Sequence, residues 1–533
     1  MAMGRGGLLK LASAAALAWA AAASAADRPA VDVLIRGGTI YDGGESQQPY
    51  VGDVAIRGDR IVFVGPRADV VAARTVDATG MIVAPGFIDP HTHANHFLES
   101  ADPRQRRAPA WLAQGVTTVF IGVDGNGAPE IAETFAKLRQ QGVGVNVASY
   151  VGFGAIRPRL IGQVNRAPTD AELASEKALV AKAMCEGALG LSTGLFYVPQ
   201  SYAKTDEVVE LAKEAGKRGG VYDTHARDYS DFTVGMMTSY REALDIGRQA
   251  GLPVHLSHIK TLGPGVWGRS VEVIALVDAA RAAGQTVTAS QYPYTGNGTS
   301  ISAMFLPNWA LDGGREALLK RLDDPATLAR IKAEMTANLE RTGGPQNFLF
   351  RGRGEAWSGK YLDAVAKEWG VSPIDAALRI VREGRGQSMI GFVMSPVDIA
   401  NFMKAPWTLT DSDGGEGHPR EYGTFPLKYQ DYVVNKKVID LGFFIRNSSG
   451  RTADTFGIKE RGYLKSGYFA DVVVFDPARY APKNDFTRPD VLAEGVVELL
   501  VNGKAAIAAG TMTVTLAGLP LPHIPPSGSC PAG

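Results

Sequence analysis

The feature that most constrains the fold of this chain is a repeated alternation of strand-like and helix-like segments between about residues 116 and 413. Apolar, β-branched runs such as VTTVFIG at 116–122 and VNVASYVG at 145–152 are each followed by a stretch with helical periodicity. Thr169 and Glu172 have the spacing of a capping box at the start of one of these helices. Strands that alternate with helices predict a parallel sheet, and about eight such units predict a (β/α)8 TIM barrel.

The two ends of the chain have a different pattern. Residues 27–84 and 459–517 contain short segments in which apolar and polar side chains alternate, joined by Gly and Asp turns. We predict that both ends form one small β-sandwich domain beside a barrel of residues 85–458. Residues at about 297–365 interrupt the alternation and are interpreted as an insertion that covers the site, and residues 518–533 as an extended or disordered tail.

The first residues are typical of a secretory signal peptide. Arg5 and Lys10 precede an Ala- and Leu-rich run, and an A-x-A pattern of small residues follows at positions 23–25. We predict a signal peptide of residues 1–26 and a periplasmic or secreted mature protein, with an uncleaved anchor as the alternative. No other apolar stretch reaches 18 residues, so we expect no membrane association after cleavage.

Composition narrows the class of partner and the redox compartment. Lys plus Arg and Asp plus Glu balance at 55 each, which leaves no basic surplus for nucleic-acid binding. We therefore expect no nucleic-acid partner. The two cysteines, Cys185 and Cys530, are too few for a disulfide framework. They could pair in an oxidising compartment, but the sequence does not show whether they lie close together.

The strongest motif is PGFIDPHTH at residues 85–93, in which two histidines follow a strand-like run. Residues i and i+2 of a strand point to the same side, so His91 and His93 can present two imidazoles to one metal ion. Active sites of (β/α)8 barrels form at the carboxyl ends of the strands. His225 in VYDTHAR and His258 in VHLSHIK occupy such ends on two successive predicted strands and fit a second pair of ligands.

Two further positions carry open alternatives. Asp413 ends the last predicted strand, where a carboxylate can contact a metal and act as general base towards water, and Asp411 is its rival. His255 lies three residues before His258 and should point to the opposite face of the strand, so we assign it to packing with ligation as the alternative.

Taken together, these stretches resemble the N-acyl-D-amino-acid deacylase (D-aminoacylase) family of the amidohydrolase superfamily. The resemblance runs from about Val31 to Thr515. The matching segments are PGFIDPHTH, QGVTTVFIG, GLSTGLFYVP, THARD, SHIK, YPYT, SDG, HPREYGTFP and RGYLKSGYFADVVVFDP. It implies a TIM barrel with a small β-sandwich built from both termini, and an insertion after YPYT.

The resemblance also implies roles for individual residues. It makes His91 and His93 ligands of one metal site, with His225 and His258 as ligands of a second, tighter zinc site. Asp413 resembles the catalytic and metal-binding aspartate. The residues implied to contact the substrate carboxylate or the scissile amide are Lys260, Tyr292, Arg420 and Tyr197.

One position departs from the family pattern. The family usually reads G-N-C-G after the strand VTTVFIG, with a cysteine that bridges the metals, whereas this chain has Asp124 there. A carboxylate can also bridge two cations, but it is a harder ligand than a thiolate. We therefore expect one or two divalent ions, with Zn²⁺ first and another divalent metal as the alternative.

The expected function is hydrolysis of N-acyl-D-amino acids to a carboxylate and a free D-amino acid, by metal-activated water and the Asp413 general base. One alternative is another amidohydrolase, either a D- or iso-dipeptidase or a cyclic amidase. Cyclic amidases commonly use a carboxylated lysine, and the candidate strands VNVASYVG and ALGLSTG contain none. The other alternative is a non-catalytic exported metal- or ligand-binding protein.

Overall fold

The computed structural model describes residues 28–45, 48–351 and 354–531, and the predicted signal peptide lies outside the described residues. Strands and helices are numbered here along the chain. The α-helices are α1 Asn95–Leu98, α2 Pro103–Arg106, α3 Pro109–Leu112, α4 Ile131–Gln141, α5 Phe153–Leu160, α6 Asp170–Cys185, α7 Thr205–Gly216, α8 Met236–Ala250, α9 Ser270–Ala282, α10 Ile301–Met304, α11 Gly314–Asp323, α12 Pro325–Arg341, α13 Leu362–Trp369, α14 Pro373–Glu383, α15 Pro396–Lys404, α16 Arg420–Leu427, α17 Leu441–Asn447 and α18 Gly450–Phe456. Short 3-10 helices lie at Gln200–Tyr202, Pro264–Val266, Asn308–Leu311 and Pro345–Asn347, and a π-helix at Lys428–Asn435.

Both ends of the chain contribute to one mixed sheet. Its strands run in the order β21-β20-β19-β18-β5-β1-β2-β3, and β4 pairs with β1. The antiparallel pairing of β18 with β5 joins the two ends. Alternate side chains of these strands, including Ile35, Val54 and Val472, form a separate buried cluster. The strands are β1 Ala30–Ile40, β2 Tyr50–Arg57, β3 Arg60–Gly65, β4 Val71–Asp77, β5 Ile82–Pro85, β18 Val472–Phe475, β19 Val496–Val501, β20 Lys504–Ala508 and β21 Thr511–Met512.

The middle of the chain forms parallel strands with helices between them. One set has the order β6-β7-β8 and the other β17-β13-β12-β11-β10-β9, and only Tyr150 separates β8 from β9. Nearly every residue of these strands is buried, as expected for strands covered on both faces. The strands are β6 Phe87–Asp89, β7 Val116–Ile121, β8 Asn146–Ser149, β9 Val151–Gly152, β10 Gly190–Gly194, β11 Val221–His225, β12 Val254–Leu256, β13 Val287–Gln291 and β17 Thr408–Thr410.

The first and last of these parallel strands meet beyond their carboxyl ends. The amide of Asp413 donates to the main-chain oxygen of His91 at 3.0 Å, and the amide of His93 donates to that of Gly414 at 2.8 Å. Thr92 and Gly414 form an isolated parallel bridge. The two segments that carry the H-x-H motif and Asp413 are therefore fixed to each other through main-chain hydrogen bonds.

A small antiparallel sheet lies between the last two parallel strands in sequence. Its order is β14-β16-β15, with β14 at Gly296–Ser300, β15 at Phe348–Phe350 and β16 at Ser388–Phe392. Helices α10 to α14 connect these strands. Residues from all three strands line the cleft above the carboxyl ends of the parallel strands, so the insertion forms one wall of that cleft.

The end of the chain packs against the opposite side of the parallel strands. The amides of Gly518 and Leu521 donate to the main-chain oxygens of Val143 and Val147, both at 2.8 Å. A disulfide joins Cys185, the last residue of α6, to Cys530. The sequence did not show whether the two cysteines lie close together, and in the structure they are paired. Across the three described segments, the helices are all too short or too polar to cross a membrane.

Candidate metal centre and active site

Side chains from distant parts of the chain converge at the carboxyl ends of the parallel strands. Their ligand atoms lie within 4.8 Å of one another in two groups, identified among the described residues. We call them the first and the second donor group. The first consists of His91, His93, Asp124 and Asp413, and the second of Asp124, His225 and His258. The structure therefore brings together all six residues predicted as metal ligands.

Asp124 is the residue that both donor groups share. Its Oδ1 lies 3.4 Å from His91 Nε2 and 3.3 Å from His258 Nε2, and its Oδ2 lies 3.5 Å from His93 Nε2. His225 Nδ1 is 3.6 Å from Oδ1. One carboxylate thus faces four imidazoles, which is the placement that a ligand between two cations requires.

Three of these ligands depend on unusual backbone conformations. Asp124, His258 and Asp413 have φ values of 54°, 35° and 44°, in the left-handed region that non-glycine residues rarely adopt. Each such conformation costs about 1–2 kcal/mol relative to the right-handed one. Strain that collects at one point of a structure indicates a functional site, because the conformation turns the side chain towards its partners.

The donor set fits a divalent cation. Both ring nitrogens of His91 are buried without a hydrogen-bond partner among the described residues, although buried polar atoms are nearly always paired. A metal ion would satisfy such a nitrogen. Imidazole nitrogens with carboxylate oxygens are the ligands of catalytic zinc sites and also suit several other divalent metals.

The electrostatic environment differs between the two donor groups. Burial alone would lower the pKa of His91, but the carboxylates of Asp124 and Asp413 raise it to about 10. In the second donor group, burial holds the pKa of His258 well below its usual range, and the Lys260 ammonium adds to this effect. Burial also lowers the pKa of His225. The second donor group therefore presents neutral imidazoles, the form that binds metals.

Asp413 links the metal ligands to a cationic region of the cleft. Its Oδ1 lies 3.2 Å from His93 Nε2, and its Oδ2 lies 2.8 Å from Arg420 Nη1. Burial would raise the pKa of Asp413, but the Arg420 guanidinium and the hydrogen bond with His93 hold it well below the usual range. The carboxylate is therefore ionised and able to accept a proton.

The residues predicted to contact the substrate lie around Asp413. Tyr197, Lys260 and Arg420 line a cleft of about 1160 Å³ that also contains ligands of both donor groups. The Tyr292 ring lies close to both cations, with its centre 5.4 Å from Lys260 Nζ and 4.6 Å from Arg420 Cζ. The Tyr197 ring centre is 4.7 Å from that of His225.

The two rival assignments do not reach the donor groups. The ring nitrogens of His255 lie 2.9 Å from Thr288 Oγ1 and 3.0 Å from Ser290 Oγ, so both have hydrogen-bond partners on the neighbouring strand β13. Asp411 is fully buried but is absent from both groups found among the described residues. The geometry therefore favours His258 over His255 and Asp413 over Asp411.

Two residues of the cleft region were missed by the sequence reasoning. His418 accepts a hydrogen bond from the Arg420 amide at 3.1 Å and lies 3.1 Å from the Gly296 oxygen, so it joins the Arg420 loop to the insertion. Its motif, HPREYGTFP, was recognised, but only the arginine received a role. Arg351 also lines the cleft, and no motif surrounds it.

Histidines and carboxylates gathered at the carboxyl ends of parallel strands, beside a cleft with buried cations, define a metal-dependent hydrolase of the amidohydrolase superfamily. No model of a known protein family matches the chain. The D-aminoacylase of Alcaligenes xylosoxydans xylosoxydans is 34% identical over 507 residues, which cover 90% of this chain and 95% of that protein.

Two solved structures have the same fold. A structure of D-aminoacylase described with a binuclear metal centre has a TM-score of 0.78 at 30% identity, and covers 92% of this chain and 100% of its own. The N-acyl-D-glutamate deacylase of Bordetella bronchiseptica, solved with zinc and a phosphonate inhibitor, has a TM-score of 0.78 at 29% identity. It covers 92% of this chain and 99% of its own.

The chain belongs to the N-acyl-D-amino-acid deacylase (D-aminoacylase) family. As a member of this family it is a hydrolase that acts on amide C–N bonds.

Proposed function

We propose that the protein is an exported, metal-dependent deacylase that cleaves N-acyl-D-amino acids to a carboxylic acid and a free D-amino acid. The observation that carries this proposal is the position of Asp413, which contacts His93 of the first donor group and Arg420 of the cleft. A general base for water thus lies next to a group that can hold the carboxylate of an amino acid. The names of the similar proteins support the same reaction.

The metal chemistry follows from the ligands. A divalent ion held by the two donor groups would polarise the amide carbonyl and lower the pKa of a bound water towards about 7. We infer that the ion is Zn²⁺, at one or two sites. Because Asp124 provides a carboxylate where the family usually has a thiolate, a harder divalent metal is the alternative.

The side chains of this protein perform the proton transfers and hold the substrate. Asp413 takes the proton of the attacking water and returns it to the amide nitrogen, whose bond to the acyl carbon then breaks. Burial raises the pKa of Tyr197 well above its usual range, so its hydroxyl stays protonated and can donate to the carbonyl oxygen as charge develops there. Arg420 and Lys260, with Tyr292 close to both, hold the α-carboxylate.

The fold is inferred to be a closed (β/α)8 barrel flanked by a small β-sandwich. If β8 and β9 are one interrupted strand, the parallel strands number eight. The main-chain hydrogen bonds between the segments after β6 and β17 support closure. The predicted domains therefore remain residues 27–84 with 459–517 for the small domain and 85–458 for the barrel.

We infer export to the periplasm or beyond from the pattern of residues 1–26. The disulfide between Cys185 and Cys530 supports this inference, because disulfides persist mainly in oxidising compartments. Fractionation of cells that express the full chain tests it. Recovery of an uncleaved protein in the cytoplasm would contradict export.

The function is tested by turnover of a panel of N-acetyl-D- and N-acetyl-L-amino acids with the purified protein. We expect release of free D-amino acids, loss of activity after chelation and recovery on addition of Zn²⁺. D-dipeptides, isopeptides and cyclic amides belong in the same panel. Turnover confined to one of these classes, or metal binding without any turnover, would replace the proposal by the corresponding alternative.

A further inference from the structure

The insertion places a second arginine in the cleft. Arg351 directly follows β15, and its amide donates at 2.9 Å to the main-chain oxygen of Ser388, the first residue of β16. Its backbone is therefore fixed by the small antiparallel sheet. Its Nη1 donates to the main-chain oxygen of Glu416 at 3.0 Å, and its Nε is buried without an acceptor among the described residues.

Arg351 and Arg420 face the same open point of the cleft. A Cβ atom added to Gly298 would lie 2.9 Å from Arg420 Nη2 and 3.4 Å from Arg351 Nη1. Both guanidinium groups therefore lie against the backbone of Gly298, where a larger residue would crowd them. The insertion contributes Gly298 and Arg351, while Arg420 is the first residue of α16, which follows Asp413 in the chain.

Three cations gather in this region, and the carboxylates of Asp413, Glu416 and Glu421 line the same cleft. Lys260 and Arg420 are buried cations close to the Tyr292 ring, and Arg420 is already paired with Asp413. Arg351 adds a third cation beside Arg420. Like charges brought together away from water are unfavourable unless an anion lies between them.

We propose that Arg351 determines specificity for substrates with a second anionic group, that is, N-acyl amino acids with an acidic side chain. This inference rests on the proposed deacylation. The α-carboxylate occupies the region of Lys260 and Arg420, and the side-chain carboxylate accepts hydrogen bonds from Arg351 in the same cleft. A guanidinium suits this role because it offers parallel N–H donors to a carboxylate.

The test compares acidic substrates with their isosteric amides. We expect a higher kcat/KM for N-acetyl-D-glutamate and N-acetyl-D-aspartate than for N-acetyl-D-glutamine and N-acetyl-D-asparagine. Arg351→Gln should lower kcat/KM for the acids by about tenfold or more and change that for the amides little. Arg351→Lys should keep part of the preference, and Arg330→Gln, an exposed arginine of the same insertion, should keep all of it.

An equal loss on acids and amides in Arg351→Gln would overturn the inference, because it would assign Arg351 to the α-carboxylate or to the fold. Turnover without preference would overturn it while leaving deacylation intact, whereas absence of turnover on the whole panel would reject deacylation. Calorimetry with D-glutamate and D-glutamine decides the inference in either case. Tighter binding of D-glutamate that Arg351→Gln removes supports it, and equal binding of the two contradicts it.

Discussion

The two donor groups share Asp124 but differ in what surrounds them. In the first, the His93 side chain is 36% exposed to the cleft, and Asp413 is bound to Arg420. In the second, the side chains of His225 and His258 are 8% and 1% exposed, and burial and the nearby Lys260 ammonium lower the pKa of both imidazoles. Asp124 therefore joins a buried pair of histidines to a group of ligands that is partly exposed to the cleft.

We infer from this difference a division of roles between the two donor groups. Buried, neutral imidazoles in the second donor group lose little solvation and no proton when a cation binds, so we expect the tighter metal site there. The first donor group reaches the cleft and contains the general base, so we expect the chemical step there. The predictions below test this division, in order of decreasing effect.

The largest effect is expected for Asp413→Asn. An amide cannot accept the proton of water, so kcat should fall by about 10²- to 10⁴-fold, whereas the metal content should change little. Steady-state kinetics and elemental analysis measure the two quantities. Asp411→Asn is the comparison variant, and a larger loss of kcat in Asp411→Asn than in Asp413→Asn would reassign the base.

The second prediction compares one histidine from each donor group. His258→Asn should reduce metal affinity by at least the roughly 10- to 100-fold seen when residues around metal ligands are altered, because it removes a ligand itself. His93→Asn should retain more metal and lose mainly kcat. Titration of the metal-free variants with Zn²⁺ measures this. Equal affinities for Zn²⁺ in the two variants would contradict the proposed division of roles between the donor groups.

The third prediction concerns Arg420, which is paired with Asp413 of the first donor group. Arg420→Met should raise KM for N-acetyl-D-amino acids by roughly 10- to 100-fold, as expected for loss of a hydrogen bond to a charged group. Bound metal should be unchanged. N-acetylated amines without a carboxylate provide the matched control. An equal rise in KM for these substrates would show that Arg420 does not hold the substrate carboxylate.

The smallest effect is expected for Asp124→Cys, which alters the residue common to both groups. A thiolate is a softer ligand, so the variant should favour Zn²⁺ over Mn²⁺ by about tenfold more than the unaltered protein. Competition between the two metals, read by elemental analysis, measures this preference. An unchanged ratio would show that Asp124 does not contact the ions.

Much of this site could be predicted because its signals are local. His91 and His93 follow β6 and lie two residues apart, and His225 and His258 lie at or just beyond the ends of successive strands, so the position of barrel sites at the carboxyl ends of strands predicts that they meet. His255 was correctly separated from His258, although the strand ends at Leu256 and His258 has a left-handed backbone. The direction of a side chain at a strand end therefore depends on more than alternation.

Other parts of the site depend on packing that no short segment encodes. Asp124 was identified only through resemblance to a family, because an aspartate followed by a glycine is typical of an ordinary turn. Arg351 reaches the cleft because β15 pairs with β16, and that pairing brings together residues almost forty positions apart. His418 was overlooked since its contacts are to the main chain of the insertion and of its own loop.

The cystine between positions 185 and 530 has a consequence for proteolysis. It closes a ring of chain that spans 345 positions and includes strands β10 to β21. A protease that cuts any surface loop inside this ring leaves two fragments covalently joined. The nicked molecule would therefore migrate as a single band in a denaturing gel and separate into two bands only after treatment with a thiol.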